Sequence, residues 1–191
     1  DAGEQWVRLD NGLPTVPVDD IKIEPRENDL VIGTHGRGIW IMDDITPLEE
    51  LTPEAILSEA HLFGIQPATS YNAYTPQGWT PGIFSAPNPP MGARIRYHLA
   101  KDTDEVSVSI TDLRGQSLRE LEGTGNVGLN EVIWDLRLQE EDSNGDLMNP
   151  GPRALPGTYL VQLEAGNSVL EGELSVHLDP RVTISPTVLM A

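Results

Sequence analysis

The sequence predicts an all-β chain in which a small antiparallel sheet is followed by a short helical connector and a β-sandwich. Three observations carry this reading. In Asp29–Asp44, DLVIGTHGRGIWIMDD, two apolar runs (Leu30–Ile32 and Ile39–Met42) flank a Gly-rich turn, the pattern of a β-hairpin. From Gly92 onward, apolar residues alternate with polar ones in short runs separated by Gly or Pro, as in a sandwich of about seven antiparallel strands. Helix signals are confined to the stretch between these regions.

The first module is expected over residues 1–50, its first 44 residues reading as four short antiparallel strands joined by turns. Trp6–Leu9 (WVRL) is a strand candidate closed by the turn dipeptide Asn11-Gly12. Val18–Glu24 carries Ile21 and Ile23 in period two, and Pro25–Asn28 turns the chain into the hairpin. Both hairpin arms are almost continuously apolar, so both faces are expected to be covered. The connector and strap are expected over residues 51–91. Thr46-Pro47-Leu48-Glu49 has capping-box spacing, and Thr52-Pro53-Glu54 starts a second helix whose apolar face would be Ile56, Leu57 and Ala60. His61–Phe63 reads as a further short strand. Gln66–Pro90 holds six prolines, Pro67, Pro76, Pro81, Pro87, Pro89 and Pro90, with Tyr71, Tyr74, Trp79 and Phe84 between them. This is read as an ordered extended strap, with a flexible linker as the rival.

The sandwich is expected over residues 92–180, before a tail at 181–191. Ile95, Tyr97 and Leu99 share one face of their strand, opposite Arg94, Arg96 and His98. Val106, Val108 and Ile110 repeat the pattern, and Glu131–Leu138 places Val132, Trp134, Leu136 and Leu138 together. Thr158–Leu163 and Leu170–Leu178 supply the last two strands.

Thirty acids against twelve basic residues give a net charge of −18, which argues against nucleic acid and against an anionic membrane surface. Only Lys22 and Lys101 are lysines. Two explanations stay open: a protein kept soluble in high salt, and a GC-rich genome with an acidic solvated surface. Without cysteine there is no disulfide, no thiolate nucleophile and no thiolate metal ligand; this composition fits a secreted or periplasmic protein. No apolar run approaches the ~18 residues of a membrane span. The N-terminus, DAGEQW, has no signal-peptide pattern, and a chain that enters a β-pattern this early reads as the C-terminal part of a longer protein.

WVRLDNGLP, VDDIKIEP and NDLVIGTHGRGIWIMDDITPL together resemble the last blade of the large bacterial sialidase-repeat (BNR/Asp-box) or sortilin-like β-propellers, a glycosyl-hydrolase-like class. NPPMGARIRYHL, ITDLRGQSLREL, GLNEVIWDLR and LPGTYLVQLEAG resemble the domain after such propellers, an immunoglobulin-like sandwich similar to that of the flagellar hook-capping protein. Gln66–Pro87 and Glu140–Arg153 match poorly, and the repeat Ser-x-Asp-x-Gly-x-Thr-Trp does not occur. The resemblance therefore implies a propeller-type β-blade plus an immunoglobulin-like sandwich, and it places the sialidase arginine triad, tyrosine and acid pair on other blades.

No catalytic residue follows from this, and no metal ligand or cofactor is assigned. His35 and Arg37, on the hairpin turn, are candidates to touch an acidic or sugar ligand. The simpler alternative is that the glycines serve the turn while Arg37 pairs with a carboxylate such as Asp43 or Asp44. Tyr71, Tyr74 and Trp79 are candidates to stack on sugar rings, or else to anchor the strap. Asp142-Ser143-Asn144-Gly145-Asp146 begins like a calcium loop, but Leu147 and Arg153 stand where Gly and Glu are needed, so a solvated loop is favoured. His61, His98 and His177 are scattered without metal-ligand spacing.

The expected function is that of a non-catalytic C-terminal part of a secreted propeller protein, whose sandwich caps or anchors the propeller. The parent protein could itself be a glycosyl hydrolase. The alternative is a carbohydrate- or protein-binding module. The expected partners are the rest of the propeller or another copy of the chain, with a glycan or cell-surface protein as the further class.

Overall fold

The computed structural model describes Gly3, Trp6 and residues 12–72, 90–139 and 151–184. The strand candidate Trp6–Leu9, the aromatics Tyr74, Trp79 and Phe84, and the loop Asp142–Asp146 lie wholly or mostly outside the described residues. The chain divides into two compact units, Asp1–Ile45 and Thr46–Ala191. The helical segment 46–57 is thus part of the second unit. The fold is all-β, with two five-residue helices.

In the first unit, β1 (Val18–Glu24), β2 (Asp29–Thr34) and β3 (Ile39–Met42) form an antiparallel meander in the order β1-β2-β3. Glu24 closes the first turn, its carboxylate accepting from the backbone N–H of Arg26 and Glu27 and from Arg26 Nε at 2.8 Å. The second turn needs positive φ at Gly36 and Gly38, and the Thr34 hydroxyl donates to the Gly38 carbonyl at 2.6 Å.

The register places Ile21, Ile32 and Trp40 in one cross-strand row and Ile23, Leu30 and Met42 in another, so one face of this sheet is predominantly apolar, with Thr34 at its end. Lys22, Val31, Ile41, Asp20, Gly33 and Ile39 line the opposite face. The expected burial of the hairpin on both sides does not occur: Ile21 and Ile23 are 58% and 52% exposed, and Ile39 and Ile41 are 72% and 60% exposed. Apolar composition shows that a strand needs cover, whereas the cover itself must come from a second layer. This three-stranded unit has none among its described residues.

The second unit supplies its own second layer. Its strands are β4 (Ala60–Leu62), β5 (Ala68–Ser70), β6 (Ala93–Leu99), β7 (Val106–Thr111), β8 (Ser117–Glu122), β9 (Gly128–Trp134), β10 (Gly157–Ala165) and β11 (Ser168–Leu178). They form a five-stranded sheet, β5-β11-β10-β7-β8, and a three-stranded sheet, β4-β6-β9. Pairing is antiparallel except between β5 and β11, which run parallel. The inner faces of both sheets meet in a core whose largest members are Trp134, Tyr97, Ile95, Leu99, Ile110, Leu163 and Leu174. Strict alternation in β6 and β7 follows the expected pattern.

Polar atoms carried into the core are satisfied locally. Tyr97 Oη donates to the Thr124 carbonyl at 2.6 Å, Tyr159 Oη to the Leu155 carbonyl at 2.6 Å, and Trp134 Nε1 to the Arg137 carbonyl at 2.8 Å. Burial raises both tyrosine pKa values above the usual phenol range. The Trp134 strand ends earlier than expected, because Leu136 adopts a positive φ of 58° while staying buried. Its carbonyl accepts from Ala154, and Arg137 bridges to Arg153.

The helices are α1 (Thr46–Glu50) and α2 (Pro53–Leu57). Thr52 caps α2 as expected, its hydroxyl accepting from Ala55 N at 3.2 Å. The buried face differs from the expected one. Ala55 is buried, Ile56 and Leu57 are exposed, and Ala60 belongs to β4. Ser58 takes an extended conformation and stops the helix after five residues, too short for an i, i+4 apolar face to form.

Trp134 is the test of this core. Trp134→Ala is expected to cost about 3–5 kcal/mol of unfolding free energy. Urea denaturation followed by far-UV circular dichroism measures it.

Candidate functional site

The residues singled out in the sequence do not converge on one site. His35 is exposed on the turn after β2, with Nδ1 3.2 Å from Asp19 Oδ2. Arg37 is also exposed on that turn, and its carbonyl accepts from Trp40 Nε1 at 3.2 Å. The glycines therefore do serve the turn. A solvated His–Asp contact beside an arginine offers no nucleophile and no shielded acid–base pair.

Tyr71 belongs to the second unit, just after β5. It is partly exposed, and its carbonyl accepts from Arg153 Nη1 at 3.1 Å. Arg153 also donates to Asn72 Oδ1, while Arg181 Nη2 donates to the Asn72 carbonyl at 3.2 Å. Beneath them lies Asp179, which is 1% exposed. Its carboxylate accepts from Asn72 N at 3.0 Å, from Arg181 N and Nε at 2.9 and 2.8 Å, and from Arg181 Nη2. The Arg181 hydrogen bonds hold the Asp179 carboxyl well below the usual carboxylate range, and Asp179 in turn raises Arg181. This cluster is a clamp on the backbone of residues 71–72.

A second cluster joins His61 and His98, residues far apart in sequence. Antiparallel pairing of β4 with β6 sets them directly opposite each other. The flanking pairs Ala60–Leu99 and Leu62–Tyr97 face the core, so the two imidazoles share the outer face of the three-stranded sheet. His61 packs edge to face on Phe63 with ring centroids 4.9 Å apart. Glu50, at the end of α1, brings Oε2 to 3.9 Å from His61 Nε2. Period-two patterning placed each histidine on the outer face of its own strand; only the strand pairing brings them together.

An open concavity of about 720 Å³ on the second unit is lined by Asp104, Glu105, Glu120, Glu122 and Glu164 with Thr103 and Ser107. It gathers carboxylates of one sign with no cationic side chain among its lining residues. Among the described residues, no three or more His, Asp or Glu side chains are already arranged to hold a metal ion. No helix among them is long and apolar enough to cross a membrane.

No protein-family model matches the sequence, and no curated protein matches it. One solved structure with some similarity is CopC from Methylosinus trichosporium OB3b. It is 15% identical, with 48% of this chain and 80% of that chain covered, at a TM-score of 0.29. At that score the overlap establishes neither family nor activity.

The Asp179 clamp has a pH signature. The native carboxyl lies below its unfolded value of about 3.9, so its stabilisation is complete above that pH and is lost as pH falls toward the native value. Asp179→Asn is expected to lower the thermal midpoint at pH 7, with the gap to the parent protein narrowing progressively below pH 4. Melting curves between pH 2 and pH 7 check it.

Proposed function

We propose that the chain is a non-catalytic part of a larger secreted β-propeller protein of the glycosyl-hydrolase-like class. In this reading the first unit is a propeller-type blade, and the sandwich of the second unit, immunoglobulin-like in kind, caps or anchors the propeller. The observation that carries the reading is the predominantly apolar face of β1–β3, formed by Ile21, Ile23, Leu30, Ile32, Trp40 and Met42 with Ile21 and Ile23 more than half exposed. Three strands with one unsealed apolar face are marginal on their own in water and are stabilised by packing against further layers. A blade inside a propeller has neighbours that supply them.

The second unit supports the scaffold half of the reading. It owns a continuous core, and its Asp179 cluster is spent on holding backbone. No specific observation favours binding through the strap aromatics: the one described member, Tyr71, has its backbone gripped by Arg153.

The free chain is expected to bind an environment-sensitive dye such as anilinonaphthalene sulfonate and to self-associate as its concentration rises. The double variant Ile21→Lys, Ile23→Lys is expected to abolish both while changing stability only slightly, since both side chains are exposed. Dye fluorescence and sedimentation velocity measure this. A dye-negative monomer would remove the basis of the blade reading, and glycosidase activity in this chain alone would overturn its non-catalytic half.

A further inference from the structure

We propose that His61 and His98 form a binding site for a divalent transition-metal ion on the outer face of the β4-β6-β9 sheet, with the Glu50 carboxylate as the third protein donor. Directly opposed residues on antiparallel strands have Cβ atoms about 4.5–5.5 Å apart. Two imidazoles at that spacing can each reach one ion at the usual metal–nitrogen distance of about 2.0–2.1 Å. His61 and His98 occupy such a pair of positions.

The state of the ring nitrogens points to a ligand. His61 Nε2 and His98 Nδ1 are both shielded from solvent, and neither has a hydrogen-bond partner. Shielding a polar atom without a partner costs free energy, and such atoms in a folded protein call for an occupant. Here two of them sit on one cross-strand pair. An ion pair between Glu50 and His61 would leave His98 Nδ1 unsatisfied, whereas one ion between the rings serves both.

Glu50 is built into the same place. Its Oε2 accepts from Gly64 N at 2.9 Å, which holds the carboxylate on the His61 side. Gly64 has no Cβ where one would stand 2.7 Å from Glu50 Oε1, so a larger residue there would push the carboxylate away. The α1 helix that carries Glu50 is tied to the same segment by Gln66 Nε2, which donates to Thr46 Oγ1 at 2.9 Å. The 3.9 Å gap between Glu50 and His61 exceeds the spacing of two adjacent ligands on one ion, so the third donor engages only when the partly exposed Glu50 loosens its Gly64 hydrogen bond and swings inward. In the next row of the same face, Arg96 donates to Glu131 at 2.7 Å, so its charge is balanced within reach of the site.

The donor chemistry sets the class of ion. Two imidazole nitrogens and one carboxylate, without thiolate, suit Zn(II), Ni(II) or Cu(II), whereas Ca(II) and Mg(II) take oxygen ligands throughout. Water or buffer would complete the coordination shell.

The test uses the complete 191-residue chain after chelator treatment, titrated with zinc chloride and separately with nickel chloride. One equivalent is expected to bind, raise the thermal midpoint, and shift the imidazole ¹⁵N resonances of His61 and His98 while leaving those of His35 and His177 in place. His61→Gln and His98→Gln are each expected to weaken binding about tenfold or more, and Glu50→Gln by less. The resonance shifts are read on the unsubstituted protein, so a variant that fails to fold does not decide the outcome. Absence of saturable binding, binding that persists in both histidine variants, or shifts at His35 instead would overturn the site. So would nuclear Overhauser contacts placing only an ordered water between the rings.

Discussion

Trp134 occupies the space between the two sheets of the second unit with no exposed surface, and the surrounding backbone is shaped to keep it there. Its ring meets Tyr159 edge to face at 5.3 Å, joining β9 to β10 across the core. Its indole N–H goes to the Arg137 carbonyl, which requires the chain to double back immediately after β9. Leu136 makes that reversal in a left-handed conformation that a leucine adopts only under constraint. The reversal then places Arg137 beside Arg153 and the Leu136 carbonyl beside Ala154. On the other side, Gly92 has a φ of +135°, and a Cβ there would lie 2.2 Å from the Trp134 carbonyl oxygen. One large aromatic thus goes with a strand end and a strained leucine, while its backbone carbonyl leaves no room for a side chain at position 92.

The first unit faces the same requirement without the same solution. Its apolar side chains are as regular as those of β6 and β7, but they are spread over three strands with no second layer among the described residues. The free energy gained by burying a Leu or Ile side chain, about 1.5–3 kcal/mol each, is largely unrealised at Ile21, Ile23, Ile39 and Ile41. An acidic chain of net charge −18 also resists association with its own copies at low salt. A surface of this kind gains most from a neutral or complementary layer.

Local signals were legible in the sequence and non-local ones were not. The alternation in Ala93–Leu99 and Val106–Thr111, the Thr52 cap and the glycine turn at 36–38 are each set by residues within a few positions of one another. The parallel docking of β5 on β11 and the facing of His61 by His98 depend on register between distant segments, which no local pattern encodes. The hairpin Leu30–Met42 misled for a related reason. Its composition states a demand for burial, and only the full assembly decides whether that demand is met. The two candidate residues on that turn, His35 and Arg37, lie close in sequence but are solvated, while the pair with shielded nitrogens was dismissed for its spacing.

The grip of Asp179, Arg181 and Arg153 on Tyr71 and Asn72 also sets an order of events. Its members are separated by as many as 109 positions. Among the described strands β5 has a single neighbour, β11, and pairs with its last residues, Val176–Leu178. On a ribosome, the segment around residue 70 leaves the tunnel long before Asp179 exists, and loop closure over such a span is slow. The five-stranded sheet therefore cannot gain its outer strand until the last residues of β11 have been made. Until then β5 lacks that partner, and its alanine and threonine, small and only weakly apolar, are well suited to wait in water.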